Sequence, residues 1–349
     1  MAVKNSIKNE NKKGNILYID ILRIIACFMV IINHTHGIIL ENNTLINSTF
    51  YCICFSLCKI GVPLFLMITG TLLLDKDYNY KKILKCIFRV LVPVLGLSLI
   101  FYVKDVGISN INIISFLKSI ISAPYIIPYW YIYALISIYL TIPFLQKMIK
   151  NFKEKDYCIF ILLFLIIPTV VVILKTYLGV NINYNFSSAF FPIIISLVVC
   201  GNFLSKIKLS KKYFIISILI FVVSYIGMFL SMYLPYLNSG KISYILDSWN
   251  TLPVILMSIS IFYSIRYLIE NKVFSKKTNY IIITVASTTF GIYLIHTALN
   301  YKLYNISIIK YIFNFNSILG ITILEILVFI VCMLIIYILK KIPIIKKFL

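Results

Sequence analysis

Arg23 and His34 stand eleven residues apart in one apolar stretch, ILYIDILRIIACFMVIINHTHGIIL, residues 16–40. On an α-helix that separation comes within about 20° of three full turns, with a rise of about 16 Å. The two side chains therefore share a face, a guanidinium near one end and an imidazole well inside. Such a face could hold an anion at one end and take a proton at the other. Asp20, three residues before Arg23, is spaced to pair with it. Asn33 adjoins His34, whereas His36 is rotated by about 200° and should face elsewhere. The plainer alternative is a packed histidine and an arginine snorkelling to the membrane surface.

Four other places carry groups that could do chemistry. In YKKILKCIFRVLVP, residues 80–93, Lys85 and Arg89 are four apart and share a face. A cationic pocket there, close to Arg23, suits a phosphate-bearing ligand or an anionic lipid head group. Anchoring at the membrane surface is enough to explain Lys81 and Lys82. His296, in STTFGIYLIH, is expected at the depth of His34 on another span. Glu325 is a lone carboxylate in an apolar run, and Lys59 is its expected partner in a structural ion pair, with a proton relay as the alternative. Trp130 and Tyr131 belong either to an interfacial aromatic belt or to a platform for a sugar ring. The eight cysteines give no metal signature. Cys52, Cys54 and Cys58 lack paired CxxC spacing and are read as packing residues.

The elements that must position these groups are membrane spans. The chain has 349 residues, 61% of them hydrophobic, with a mean hydropathy of +0.98. That load implies an all-α, polytopic integral membrane protein. Ten spans are expected: about 16–40, 48–74, 83–103, 128–149, 157–175, 186–205, 212–235, 250–270, 280–300 and 317–339. Alternate segments between them (1–15, 75–85, 146–156, 205–212, 266–277 and 340–349) hold four Lys or Arg each, against six in all on the other side. This alternation places both termini in the cytoplasm. It also accounts for the net charge of +22 without nucleic acid, because the lysines are dispersed in small clusters. The expected organisation is a cytoplasmic tail over 1–15, one membrane domain over 16–340 and a basic tail over 341–349. Residues 111–122 are expected to form an interfacial amphipathic helix. No cleavable signal pattern and no internal repeat is seen.

In order, IDILRIIACFMVIINHTH, GVPLFLMITGTLLL, KCIFRVLVP, YWYIYALISIYLTIPFL and STTFGIYLIHTAL resemble the membrane-bound acyltransferase 3 family across residues 16–340. The most specific element is Arg/Lys-x10-His in the first span, met by Arg23 and His34, which singles out His34 over His36. The family's Arg-x-x-Arg at the start of the third span is met only in part: Arg89 precedes VLVP, but the upstream cation, Lys85, lies four residues away.

The resemblance implies an enzyme of the bacterial plasma membrane, an O-acyltransferase. It would move an acetyl or other short acyl group from cytoplasmic acetyl-CoA to a hydroxyl of an extracytoplasmic polysaccharide, alongside the glycan-assembly machinery. Arg23, Arg89 and Lys85 would face the phosphates of the donor. His34 would act as general base or acyl carrier, with Asn33, Asp20 or another carboxylate orienting it. Trp130, Tyr131 and His296 would lie on the acceptor side. The competing classes are a transporter or flippase and a non-catalytic scaffold. The absence of repeat symmetry argues against the first, and the Arg23–His34 face argues against the second.

Overall fold

The computed structural model describes residues 16–76, 80–180, 193–246 and 248–349. The N-terminal tail and the first part of the sixth expected span, residues 186–192, lie outside them. The described residues form helices joined by turns, with no strand among them.

Helix α1 (Leu17–Thr35) is the hub. It packs against α2 (Leu45–Cys58), α3 (Gly61–Leu73), α10 (Leu252–Glu270), α11 (Lys276–Ala286), α12 (Thr289–Tyr304) and α14 (Ser317–Leu339). Ile19, Leu22, Ala26 and Ile31 are all but fully buried on it. It gives way at Thr35 to a 3-10 turn, His36–Glu41, where Gly37 is a poor helix former. The helix end leaves carbonyls without intrahelical partners, and the carbonyl of His34 accepts from Asn300 Nδ2 at 3.3 Å.

Between the hub elements run α4 (Tyr80–Val106), α5 (Ile113–Ser122), α6 (Trp130–Ile149), α7 (Glu154–Leu178), α8 (Ile193–Lys206) and α9 (Lys211–Ser239). A short α13 (Ser307–Phe315) precedes α14, and α15 (Pro343–Lys346) follows it. Helices α3 and α8 cross almost backbone to backbone. A Cβ on Gly70 would strike the carbonyl of Val198, and one on Gly201 would strike that of Met67. Small residues at such a crossing replace the hydrophobic drive that lipid does not supply. Thr71 Oγ1 also donates to the carbonyl of Gly201 at 2.9 Å. The outward face of α9, including Leu219, Val223 and Ile226, is exposed and apolar, as a lipid-facing surface requires.

Seven of the described helical segments are long and apolar enough to cross a membrane, and eight are if α11 and α12, bent by 53° at their junction, count as one. The protein is therefore multi-pass. Helix α7 stands where the fifth span is expected, and the 14-residue α8 stands where the sixth ends. The second span is broken: α2 ends at Cys58 and α3 begins at Gly61, with Lys59 at the break. The expected amphipathic segment is α5, which turns Phe116 and Ile120 onto Tyr102 of α4. Arg266, expected in a solvated basic segment, is instead buried in α10. It donates to the carbonyl of Ile207 at 3.0 Å and pairs with Glu270 at the same distance.

Candidate active site

His34, at the end of α1, is exposed in a cavity of about 260 Å³. Asn33, Lys59, Trp130, Ser248 and Trp249 are among its other walls. The chain has two tryptophans, and both are here, stacked with centroids 5.6 Å apart and planes 25° apart. Among the described residues none hydrogen-bonds to the His34 ring. Asp20 is at the other end of α1, and Asn33 Oδ1 faces the Cys58 thiol at 3.8 Å. The imidazole is thus open to whatever enters, as a base or acyl carrier must be.

His296 packs behind His34, with ring centroids 5.4 Å apart. It is fully buried, so it backs the His34 ring and is not part of the cavity wall, contrary to its expected place on the acceptor side. Its Nδ1 meets the carbonyl of Tyr293 at 2.7 Å. A carbonyl can only accept, so Nδ1 carries a proton, and Nε2 meets no hydrogen-bond partner among the described residues.

The expected Lys59–Glu325 ion pair is replaced by another. Glu325 Oε1 lies 2.7 Å from His36 Nδ1, and both residues are buried. The turn after Thr35 carries His36 against α14, whereas the break between α2 and α3 turns Lys59 to the cavity, its ammonium 3.8 Å above the Phe55 ring.

A second cavity, of about 560 Å³, opens at the other end of α1. Among the described residues, four cations line it: Arg23, Lys76, Arg89 and Lys340. Arg23 Nη1 pairs with Asp20 Oδ1 at 3.2 Å while about a third of the arginine side chain stays exposed. The face that α4 turns to the cavity carries Cys86, Arg89 and Val90, at i, i+3 and i+4. Lys85, one residue before Cys86 and so rotated by about 100°, is exposed outside it. The upstream place in the family's pattern is thus held by a cysteine. Lys340, just past the end of α14, supplies a cation that no spacing rule would bring here, and its Nζ donates to the carbonyl of Ser287 at 2.7 Å. Burial and the nearby Arg89 and Lys346 charges lower its pKa below the usual lysine value. Such a cluster of cations has the chemistry of a phosphate site.

Among the described residues, the two cavities have two wall residues in common, Tyr131 of α6 and Tyr293 of α12. Arg23 lines one cavity and His34 the other, so one helix serves both. Trp249, Lys76, Lys340 and the buried His36 partner are the residues that sequence reasoning missed. Only Lys340 and Lys76 had left a trace, as anonymous members of basic segments.

Comparison with curated proteins and with solved structures finds no match. A family model described as an acyltransferase domain matches residues 16–338, nearly the whole chain. The resemblance first carried by Arg23 and His34 thus extends from the first described helix to the last long one, and the chain belongs to the acyltransferase 3 family of membrane acyltransferases.

Proposed function

We propose that the protein is an O-acyltransferase of the bacterial plasma membrane. It takes an acetyl or other short acyl group from acyl-CoA at the cytoplasmic, basic face and delivers it to a hydroxyl of an extracytoplasmic glycan. The observation that carries this reading is the arrangement along α1: a cationic cavity at Arg23 and a histidine cavity at His34, adjoining through shared walls. The ~16 Å rise between the two residues is a distance that an extended pantetheine arm can span.

Arg23, Arg89, Lys76 and Lys340 hold the phosphates of the donor. His34 takes the proton from the acceptor hydroxyl. The hydroxyl oxygen then forms its bond to the thioester carbonyl, the carbon–sulfur bond breaks, and the proton passes to the departing thiolate. His296, held through Nδ1 by the Tyr293 carbonyl, packs behind the ring of the base. The stacked Trp130 and Trp249 offer flat apolar faces of the kind that cover a pyranose, which favours a glycan acceptor.

The test is transfer of radiolabel from [14C]acetyl-CoA to a polysaccharide by the full chain in lipid nanodiscs. The reading requires labelled glycan from the wild type and a loss of about 10²- to 10⁴-fold in His34→Ala. Wild-type protein that binds glycan without labelling it would favour a transporter instead.

A further inference from the structure

Tyr131 and Tyr293 are the residues common to the walls of both cavities. Each is 7% exposed, and their rings meet edge to face, with centroids 5.9 Å apart and planes at 70°. Tyr293 is pinned from behind, and Tyr131 follows two residues after a second anchor. The Tyr293 hydroxyl donates to the carbonyl of Pro128, at the entry to α6. Tyr129, two residues before Tyr131, returns a bond from α6 to α12, its hydroxyl donating to the carbonyl of Leu294 at 2.7 Å. These reciprocal phenol–carbonyl bonds tie the start of α6 to the middle of α12 and set the two rings between the cavities.

We infer that Tyr131 and Tyr293 form a partition that closes the basic cavity from the histidine cavity and selects by size the acyl group that reaches His34. This rests on the acyl-transfer reading above. Under that reading the two cavities serve opposite faces of the membrane and need such a wall, because a continuous aqueous path would let protons and ions through. An apolar constriction stops that passage by excluding water. The donor's narrow arm and short acyl end reach His34 as the rings part, and a longer or branched acyl group requires a wider opening. Recognition by a hydrophobic opening discriminates by about 10- to 200-fold per methylene, so removing a ring should change acyl preference by at least that order. The phosphate contacts of Arg23, Arg89, Lys76 and Lys340 are left in place, so affinity for CoA itself should not move.

The experiment compares wild type with Tyr131→Ala, Tyr293→Ala and the aromatic controls Tyr131→Phe and Tyr293→Phe, each as the full chain in sealed proteoliposomes. Monodispersity and CoA binding establish that each variant is folded, and Tyr131→Leu serves where the alanine form is not. Two quantities are read: kcat/KM for butyryl-CoA relative to acetyl-CoA, and dissipation of an imposed pH gradient followed with an entrapped dye. The inference predicts a rise of about tenfold or more in the butyryl-to-acetyl ratio and faster proton leak for the alanine or leucine forms. For the Phe forms it predicts wild-type acyl preference and tightness, because the ring remains and the Tyr129–Leu294 bond still ties α6 to α12 where the Tyr293 hydroxyl is lost. A folded Tyr131 or Tyr293 variant without the ring that keeps both the acetyl preference and the seal of the wild type overturns it. Wild type that transfers no acyl group at all defeats the acyltransferase reading, and the selectivity claim with it. That result is told apart from failure of the partition alone, in which the wild type transfers normally and the alanine forms are indistinguishable from it.

Discussion

At the scale of single residues the site divides its labour by position along one helix face. His34 is at a cavity wall, its ring without a hydrogen bond among the described residues, so His34→Ala should leave the fold intact while cutting transfer by about 10²- to 10⁴-fold. Normal expression and thermal unfolding with that loss of labelled product is the expected pair of results. Lys340 makes a pH prediction. Its lowered pKa means that it gives up its proton below the 10.5 of a free lysine, so its charge is lost earlier as pH rises. The KM for acyl-CoA should therefore climb on the alkaline side in the wild type. In Lys340→Arg, where the guanidinium stays charged, that climb should be reduced. Identical KM–pH profiles for the two proteins would remove Lys340 from the phosphate site. His36 and Glu325 make a different prediction, one about stability. Removing one partner of a buried pair leaves the other uncompensated at a cost of about 3–5 kcal/mol, whereas replacing both with apolar groups is close to neutral. Glu325→Leu alone should lower the unfolding temperature markedly, and His36→Leu with Glu325→Leu should recover most of it.

At the scale of helices, the close crossing of α3 and α8 is the clearest mechanical constraint. A methyl group at Gly201 has backbone, not a flexible side chain, in its way. Gly201→Ala should cost roughly 1–3 kcal/mol as overpacking and lower thermal stability in detergent, with residual activity falling in proportion to folded protein. This scale also separates what the sequence could tell from what it could not. Arg23 and His34 were legible because both lie on one regular helix, where spacing converts directly into a shared face. Outside residues 186–192, the expected spans fall on largely helical residues for the same reason, hydrophobic runs being local information, but only seven or eight of the described segments are long and apolar enough to cross a membrane, and the breaks at Lys59 and at Ser287 were not foreseen. Partner choices between helices are not local. Glu325 meets His36 and not Lys59 because α1 changes pitch after Thr35 and α2 stops at Cys58, and no spacing rule carries across such breaks. Trp249 reaches Trp130, and Lys340 reaches Arg89's cavity, through contacts spanning more than a hundred residues of chain. His296 sits beside His34, as depth suggested, but on its buried side.

At the scale of the whole molecule, the proposed reaction follows a single route through a membrane protein. In that proposal a donor is gripped at a basic face, an acceptor meets an imidazole near the opposite face, and two tyrosine rings stand between them. The direct measurement uses proteoliposomes of one orientation, with [14C]acetyl-CoA supplied only at the face bearing Arg89 and Lys340, and polysaccharide only at the face bearing Trp130 and Trp249. The account predicts labelled polysaccharide across the bilayer from the wild type. It predicts about 10²- to 10⁴-fold less from His34→Ala, and a raised acetyl-CoA requirement in Arg23→Ala. Label that forms only when donor and acceptor share one face, or that forms equally well without His34, would contradict it.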